Sequence, residues 1–361
     1  MSKTVEPLVS IVTPVHNEEG HLAECIESIL AQTYENWDYT IVDNCSTDAS
    51  LEIARRYAAK DRRIRICENR QLLEAIPNHN LALHQISPAS KYCKVVFGDD
   101  WIFPECLERM VRVAEEHPSV GMVGAFVLEG GDVKCTGLPY PSTVIGGREI
   151  CRRHLLERLY VFGSANSVLY RSDLVRSHHP FYNAANIHAD TEACFALLKT
   201  SDFGFVHQVL TFSRVRLGSL TTRSDYMQTN LASTLRILVT HGPAYLAREE
   251  LAERLSRHLS AYYEYLAKIL MLSREQEIWD YHKAKLAEAV VGFSHVRLAM
   301  AALGLLCGAA LTPKESIQKL VKRLKAWNLG DRKRDSKPAL LHVETGDTMR
   351  RESVVQARAG E

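Results

Sequence analysis

The stretch YCKVVFGDD, residues 92–100, places two adjacent carboxylates, Asp99 and Asp100, directly after a short run rich in apolar and β-branched residues. Such a run is typical of a strand that is covered on both faces. The carboxyl ends of these strands form the edge at which open α/β sheets bind their ligands. Hard carboxylate oxygens suit Mg²⁺ or Mn²⁺, and a cation would relieve the repulsion between the two acids. An acidic turn that opens a helix is the alternative interpretation.

The segments that precede this stretch alternate between strand and helix patterns. The patterns predict strands over 8–13, 39–42, 64–66 and 94–97 and helices over 22–30, 48–57 and 78–85. Because strands that alternate with helices form parallel sheets, this order predicts an α/β fold with helices on the faces of a mostly parallel sheet.

Polar residues follow the first two predicted strands, over 14–20 and 43–48, at the same sheet edge as Asp99. Asn17, Ser46 and Thr47 are residue types that commonly cap the N-terminus of a helix, so capping explains about half of these polar residues. Capping does not explain Asp43, which stands at the strand end and is suited to accept hydrogen bonds from a base or a ribose. The glycine patterns of dinucleotide folds and of P-loops do not occur in the sequence.

Composition fits an enzyme of a reducing compartment. The 361 residues suffice for one full domain and an extension, and a formal net charge of +1 does not indicate a nucleic-acid partner. The nine cysteines are odd in number and lack a Cys-x-x-Cys pair, which predicts free thiols and argues against a zinc site. Residues 1–7 lack the apolar segment of a secretory signal, so we expect a cytoplasmic location.

Several ordered motifs together resemble the family 2 glycosyltransferases, whose nucleotide-sugar domain has the Rossmann-like GT-A fold. The matching motifs are VSIVTP at 9–14 with Asn17 and Glu18, SILAQTY at 28–34, IVDNCSTD at 41–48, Asn80, and GDD at 98–100. The resemblance covers about residues 8–221. It implies a nucleotide-sugar donor, most simply a UDP-sugar, and it favours the metal interpretation of the two acids.

The resemblance also implies roles for single residues. The nucleotide-sugar pocket would contain Pro14, Asn17, Glu18, Asp43, Asn80 and Asp99, with Asp43 at the base and with Asp100 and Asp99 at Mg²⁺ or Mn²⁺. Two positions depart from the family. Gly98 stands where relatives often have a further acid, which predicts a lighter metal shell. His79 stands where many relatives have Arg, which predicts a weak and pH-dependent phosphate contact.

An inverting transfer needs a carboxylate to remove the proton of the acceptor hydroxyl. The segment IHADTEACFALL, residues 187–198, resembles the family's acidic helix start, and Asp190 falls on the position of the base. Ala189 replaces the usual Glu beside it, and Glu192 is the alternate base. An acidic first turn that favours the helix dipole is the structural alternative for both acids.

The segment FSRVRLGSLT, residues 212–221, is similar to the family's Arg-x-His-x-x-Ser-x-Thr segment, with Arg216 at the His position. In relatives this His lies near the metal or the diphosphate. A guanidinium cannot ligate a metal, but it can pair with two phosphate oxygens and stabilise the leaving group. The alternative is a solvated basic turn.

Beyond residue 226 the apolar spacing is helical, over 231–239, 245–272 and 278–291. We therefore predict a catalytic domain at 1–225, a helical extension at 226–330 and a disordered tail at 331–361. The apolar segment 298–311 is shorter than the about 20 residues of a membrane span. The apolar stripe over 317–327, flanked by lysines, fits either a docked terminal helix or an anionic membrane surface. The Gly- and Pro-rich segment 129–147 is predicted to be a mobile loop.

These patterns predict an inverting glycosyltransferase that moves a sugar from a nucleotide-sugar to a glycan or lipid-linked acceptor, in polysaccharide or glycolipid synthesis. We expect it in the cytoplasm, with peripheral contact to the inner membrane face and without a nucleic-acid partner. Gly98, His79 and Ala189 keep a non-catalytic nucleotide-sugar-binding or scaffold protein as an alternative. A nucleotidyltransferase, which also uses metal-binding acids on an α/β sheet, is the second alternative.

Overall fold

The computed structural model describes residues 6–157, 159–216, 219–272, 275–289 and 292–311. The chain falls into two compact units, Met1–Ala301 and Ala302–Glu361. The first unit contains every described strand and most of the described helices. The apolar stripe over 317–327 and the tail predicted from 331 lie outside the described residues, and the domain boundary at 225/226 stays a prediction.

Strands and helices alternate along the first hundred residues, as the sequence predicts. The described strands are β1 (Val9–Val15), β2 (Trp37–Asp43), β3 (Ile64–Glu68), β4 (Tyr92–Val95), β5 (Trp101–Ile102), β6 (Val120–Glu129), β7 (Asp132–Lys134), β8 (Val144–Ile145), β9 (Leu169–Arg171) and β10 (Asp202–Ser213). The described helices are α1 (Leu22–Leu30), α2 (Ser50–Ala58), α3 (Ala75–Leu83), α4 (Cys106–Glu116), α5 (Gly147–Glu157), α6 (Ser172–Arg176), α7 (Ala189–Leu197), α8 (Leu220–Met227), α9 (Thr229–Thr240), α10 (Gly242–Tyr245), α11 (Arg248–Leu272), α12 (Gln276–Glu288) and α13 (His295–Leu311).

The described strands form one sheet in the order β3-β2-β1-β4-β9-β6-β10-β5, with β7 on β6 and β8 on β10. Strands β1 to β4 are parallel, which confirms the predicted α/β fold. Strand β9 then joins β4 and β6 as an antiparallel partner, while β10 runs parallel to β6. The carboxyl ends of β1, β2, β4 and β10 therefore meet at one edge of the sheet.

The core lies on both faces of this sheet, which explains why β1 is mainly apolar and why its two polar residues, Ser10 and Thr13, are buried. Ile11 belongs to a cluster that includes side chains of α1, α2 and α4. Its neighbour Val12 points to the opposite face, into a cluster that includes side chains of α3, α5, α7 and α9. Because successive strand residues face opposite sides, burial of both faces leaves no position for polar side chains to reach solvent.

Strand β4 ends two residues earlier than the pattern predicts, at Val95. Val96 still donates its backbone N–H to the carbonyl oxygen of Val12, at 3.0 Å, but Phe97 already begins a turn. In that turn the N–H of Asp100 donates to the carbonyl oxygen of Phe97, at 3.0 Å. The apolar run thus continues past the strand into the loop that carries the two acids.

The prediction of a mobile loop over 129–147 is wrong. This segment contains β7, which forms a hairpin with β6, and β8, which pairs with β10. Cys135 and Leu138, with only 2% and 4% of their surface exposed, pack into the main core. Two of its glycines, Gly130 and Gly131, form the hairpin turn, where Gly130 has a left-handed φ of 58°.

Helices follow the sheet as predicted, and a buried hydrogen-bond chain joins them. Tyr262 of α11 bonds to Nδ1 of His282 on α12 at 2.6 Å, and Nε2 of that ring lies 2.8 Å from the carbonyl oxygen of Met227. Among the helices of the described ranges, none combines the length and the apolar character that crossing a membrane would require.

Candidate active site

Arg216 bridges two acids that come from distant parts of the chain. Its Nη1 and Nη2 donate to the two carboxylate oxygens of Glu18, at 2.9 and 2.8 Å, and Nη2 also lies 2.6 Å from Oδ2 of Asp99. The acid side chains are only 14% and 16% exposed. Burial raises the pKa of Glu18, the hydrogen bond from Arg216 opposes that shift, and the charge of Asp99 adds to it.

Asp100 lies beside this bridge and is held by the end of β10. The backbone N–H of Arg214 donates to its Oδ1 at 2.8 Å, and the hydroxyl of Ser213 donates to its Oδ2 at 3.2 Å. Burial raises the pKa of Asp100 to about 7, and the charge of Asp99 adds to the shift. A cation placed at this pair of acids would stabilise their ionised forms.

The residues that bring β10 to this position were not identified from the sequence. Arg214 donates from Nε to the carbonyl oxygen of Asp99 at 3.0 Å, and its guanidinium lies over the Trp101 ring. Trp101 and Phe212 stack with their ring centroids 3.6 Å apart, across the β5–β10 pairing. Trp101, directly after the acidic loop, and Phe212, two residues before Arg214, were the aromatic signal that could have predicted this contact.

A buried lysine inside β4 reinforces the same contact. Nζ of Lys94 donates to the carbonyl oxygen of Asn166 at 2.7 Å, and the Asn166 amide donates to the carbonyl oxygen of Phe212 at 3.1 Å. Burial lowers the pKa of Lys94. This chain of bonds connects the middle of β4 to the end of β10 and so fixes the edge that carries Asp100.

The loops after β1 and β2 are tied to each other. Oδ1 of Asn17 accepts from the N–H of Thr47 at 2.8 Å, and the N–H of Glu18 donates to the hydroxyl of Ser50 at 2.7 Å. Asn17 adopts a left-handed φ of 55°, which its short amide side chain tolerates. These bonds set the position of Glu18 under Arg216.

Asp43 closes β2 with one oxygen satisfied and one not. Its Oδ2 accepts from the N–H of Ser46 at 3.1 Å. Within the described ranges its Oδ1 is buried without a hydrogen-bond partner. Such an orphaned acceptor is suited to a ligand N–H or hydroxyl. Pro14 is buried in β1 in register with Val42, next to this strand end.

Asn80 and His79 face a different element, the segment that leads to α7. The Asn80 amide donates to the carbonyl oxygen of Tyr182 and accepts from its N–H, each at 2.8 Å. The His79 ring packs against Phe97, with centroids 5.0 Å apart, and against Tyr182 at 6.5 Å. Burial lowers the pKa of His79 to about 4, so the ring is neutral at pH 7 and does not supply a positive charge to a phosphate.

Asp190 lies in the first turn of α7, and its Oδ1 accepts from the N–H of Thr191 at 2.7 Å. Burial raises the pKa of Asp190, while the charge of His188 opposes the shift. A carboxylate with a raised pKa is a stronger base than an ordinary one. Burial raises the pKa of the Tyr182 phenol, and the charge of Asp190 adds to that shift. The two side chains therefore lie near each other.

Glu192, the alternate base, is bound in an ion pair. It accepts from Nε of Arg236 at 3.1 Å and from the Asn186 amide at 2.9 Å. Although burial raises its pKa, the hydrogen bonds from His241 and Asn186 and the charge of Arg236 lower it to about 2. A carboxylate with so low a pKa is a weak base, so the geometry favours Asp190.

The acids at the sheet edge and Asp190 form two groups. In the described part of the chain, no hydrogen bond or ion pair joins Asp190 to Glu18, Asp99 or Arg216. The connection runs through Phe97, His79 and Tyr182, whose rings contact one another in that order. Packed rings therefore link the two groups, of which one lies at the end of β4 and the other at the start of α7.

The chemistry of the acid pair fits a hard divalent cation, although the chain offers few ligands. Across the described residues, no three Asp, Glu, His or Cys side chains are placed to hold a metal ion together. Asp99 and Asp100 supply carboxylate oxygens, the ligands that Mg²⁺ and Mn²⁺ prefer, and the remaining ligands would come from a diphosphate.

Residues 10–176 match the family described as Glycosyl transferase family 2. The chain carries a family 2 glycosyltransferase domain. The domain is similar to EpsE of Bacillus subtilis, whose name places it among the glycosyltransferases, with 33% identity over 175 residues, 46% of this chain and 61% of EpsE. The glycosyltransferase GlyA of Streptococcus pneumoniae is 32% identical over 123 residues, 34% of this chain and 17% of GlyA. The chain thus spans less than two thirds of either relative.

A solved structure shows a similar fold over more of the chain. Residues 1–349 of TarS from S. aureus, in complex with UDP-GlcNAc, superpose with a TM-score of 0.58 at 16% identity, covering 81% of this chain and 86% of that chain. At this identity the likeness shows the fold alone. It places the family 2 domain and the helices that follow it in one architecture with TarS.

Proposed function

We propose that the chain is an inverting glycosyltransferase that uses a nucleotide-sugar donor, most simply a UDP-sugar. The observation that carries the proposal is the meeting of Asp43, Glu18, Asp99, Asp100 and Arg216 at one sheet edge inside the family 2 domain. The name of the TarS complex, with UDP-GlcNAc, supports the class of donor. Ligands of open α/β sheets bind at this edge.

Two unsatisfied atoms at this edge suit the two ends of such a donor. The free Oδ1 of Asp43 accepts a hydrogen bond from the nucleotide base. Nε of Arg216 is buried without a hydrogen-bond partner within the described ranges, so it can donate to a phosphate oxygen. Pro14 and Asn17 lie in β1 and the loop after it, beside these groups, while Asn80 holds the segment before α7.

In the proposed reaction, the oxygen of an acceptor hydroxyl bonds to the anomeric carbon while the bond from that carbon to the diphosphate oxygen breaks. Asp190 takes the proton of the hydroxyl, and its raised pKa favours that transfer. Arg216 stabilises the negative charge of the departing nucleoside diphosphate. Because attack and departure occur on opposite sides of the carbon, the configuration inverts.

Asp100 and Asp99 are the residues that would hold Mg²⁺ or Mn²⁺. When bound, such an ion supplies positive charge to the diphosphate and lowers the cost of its departure. The pKa of Asp100, raised by burial to about 7, fits a carboxylate that gains stability from a nearby cation.

We further propose a glycan or lipid-linked acceptor, a role in polysaccharide or glycolipid synthesis, and a cytoplasmic location with peripheral contact to a membrane. The nine cysteines lie within the described residues and none of them is paired, which suits a reducing compartment. On α13, Val296 and Met300 are 73% and 64% exposed, next to His295 and Arg297. Exposed apolar side chains beside the cation of Arg297 suit an anionic lipid surface.

A donor screen tests the proposed function. Wild type, Asp100→Asn and the surface control Asp280→Asn are heated with UDP, GDP, CMP and TDP sugars in the presence of Mg²⁺ or Mn²⁺. We expect one donor to raise the melting temperature of wild type and of the control, and to have little effect on Asp100→Asn. If no donor stabilises the folded wild type, the nucleotide-sugar site is refuted.

A further inference from the structure

The absence of a side chain at residue 98 has a local cause. A Cβ atom added at Gly98 would lie 3.2 Å from Cγ and 3.4 Å from Cβ of Glu18. The backbone of Gly98 does not have a positive φ, so conformation alone does not require glycine there. Glu18 occupies the space that a side chain at residue 98 would otherwise enter.

Glu18 and Arg216 act as a pair. With the side chain of Glu18 in this space, both of its oxygens meet the guanidinium of Arg216, at 2.8 and 2.9 Å. The same guanidinium reaches Oδ2 of Asp99 at 2.6 Å. Two of the positions at which the chain departs from the family pattern, Gly98 and Arg216, thus both contact Glu18. A positive side chain lies against the acid that was predicted to face the metal.

A guanidinium and a metal ion cannot both hold this oxygen of Asp99 without strong repulsion. Charges of +1 and +2 within a few ångström of each other repel even in a partly solvated site. The side chain of Asp99 is 16% exposed, so water screens this repulsion only in part. The carboxylate that Arg216 contacts is therefore a poor metal ligand while that contact lasts.

We propose that Arg216 is a built-in cation that competes with the divalent metal for Asp99, and that a nucleoside diphosphate draws Arg216 onto its phosphate oxygens. This inference rests on the proposed function. A diphosphate offers Arg216 the same bidentate geometry that Glu18 offers, with more negative charge. Its unpartnered Nε gives it a donor that neither acid uses. Metal and nucleotide binding are then coupled through one side chain.

The test measures Mn²⁺ binding by electron paramagnetic resonance of the free ion, with no nucleotide present. Arg216→Met removes the charge and keeps much of the length of the side chain. We expect this variant to bind Mn²⁺ about tenfold more tightly than wild type, which is within the usual range of coupling between sites. Arg216→Lys keeps the charge and is expected to bind Mn²⁺ as weakly as wild type.

Three further proteins make the result specific. Arg223→Met removes the same charge from an exposed ion pair with Glu277 and is expected to leave Mn²⁺ binding unchanged. The double variant Asp99→Asn with Arg216→Met is expected to lose the gain in Mn²⁺ affinity, because it lacks the Asp99 carboxylate for which Arg216 and the metal compete. Arg216→Gln keeps a hydrogen-bond donor, so it carries the same expectation if the Met variant fails to fold.

The proposal is overturned if neither Arg216→Met nor Arg216→Gln binds Mn²⁺ more tightly than wild type, or if the gain persists without Asp99. This outcome is distinct from failure of the proposed function, because the comparison uses no nucleotide. Binding of UDP to wild type is measured separately, and its absence refutes the donor site whatever the Mn²⁺ result.

Discussion

The ion pair of Glu192 with Arg236 and the ion pairs of Glu18 and Asp99 with Arg216 differ in how many hydrogen-bond donors each carboxylate has. Glu192 is a single acid that receives hydrogen bonds from Arg236, Asn183 and Asn186, and its pKa falls to about 2. At the sheet edge one guanidinium, that of Arg216, serves both Glu18 and Asp99. The pKa of Glu18 is raised there, chiefly by burial.

The difference separates structural ion pairs from sites that await a ligand. A carboxylate whose oxygens are all satisfied stabilises the fold and has little left to offer a substrate. Acids that share one cation gain from a further positive charge or hydrogen-bond donor, which is the usual condition of binding and catalytic groups. By this criterion we expect the acids of the sheet edge to bind a ligand and Glu192 to stabilise the fold.

Asp190→Asn is the sharpest test of this division and is expected to have the largest effect on activity. Removal of the base should lower kcat about 10²- to 10⁴-fold. The affinity for the donor should stay unchanged, since Asp190 makes no hydrogen bond or ion pair with the described residues of the sheet edge. Steady-state kinetics and donor titration measure the two quantities, with Asp280→Asn as the control. A variant that keeps near-wild-type turnover would remove Asp190 from the mechanism.

Glu192→Gln, two residues away, is expected to affect stability. The pKa of Glu192 is about 2 in the fold against 4.5 as its ordinary value, which corresponds to roughly 3 kcal/mol of stability above pH 4.5. Because the folded pKa is depressed, wild type should lose this stability as the pH falls from about 4.5 to about 2. The Gln variant should be less stable at pH 7 and should show a flatter acid dependence.

Urea unfolding of wild type and Glu192→Gln at pH 7 and pH 4 measures that difference. Equal free energies of unfolding for the two proteins at pH 7 would show that the Glu192–Arg236 pair does not stabilise the fold. A loss of activity without a loss of stability would move Glu192 into the reaction.

Asn80→Ala is expected to have a smaller effect. It removes two hydrogen bonds to the backbone of Tyr182, worth about 1–3 kcal/mol of unfolding free energy together. If Asn80 only holds the segment before α7, the donor affinity of the folded variant should remain that of wild type. A large loss of donor affinity would instead place the Asn80 amide in the nucleotide-sugar pocket.

Gly98→Ala is expected to have the smallest effect. The added methyl group would lie 3.2 Å from Cγ of Glu18, so this side chain must shift by a few tenths of an ångström. We expect a stability loss of no more than about 1 kcal/mol. We also expect a few-fold change in Mn²⁺ affinity, because the shift of Glu18 weakens its contact with Arg216. Gly20→Ala is the matched control, because a Cβ added at Gly20 would meet no atom of a more distant residue within 4 Å. Identical Mn²⁺ affinities for the two variants would separate Gly98 from the Arg216 contact.

The sequence predicted the strands β1 to β4 and the acids at their ends because apolar runs and polar loops are local patterns. It did not predict β5 and β9, which are two and three residues long and depend on partners far along the chain. The hairpin of β7 was missed for a similar reason: glycines in a segment indicate a turn, but not whether its neighbours are buried.

The same limit applies to the candidate site. Asp43, Asp99 and Asp100 could be placed at one edge because parallel strands end on the same side. The contact between Arg216 and Glu18 spans 198 residues, and that between Arg236 and Glu192 spans 44, so neither follows from a local pattern. The second contact helps to lower the pKa of Glu192, which makes Glu192 a weaker base than an ordinary glutamate.

Proton NMR for the anomeric configuration and phosphorus NMR for the released phosphates, recorded on a donor incubated with the enzyme and an acceptor mixture, distinguish the proposed reaction from its alternatives. We expect release of a nucleoside diphosphate and transfer of the sugar with inverted anomeric configuration, both absent with Asp190→Asn. Release of pyrophosphate would indicate a nucleotidyltransferase, and a bound donor that never turns over would indicate a binding protein. Either of these results, or retention of the anomeric configuration, would contradict the account.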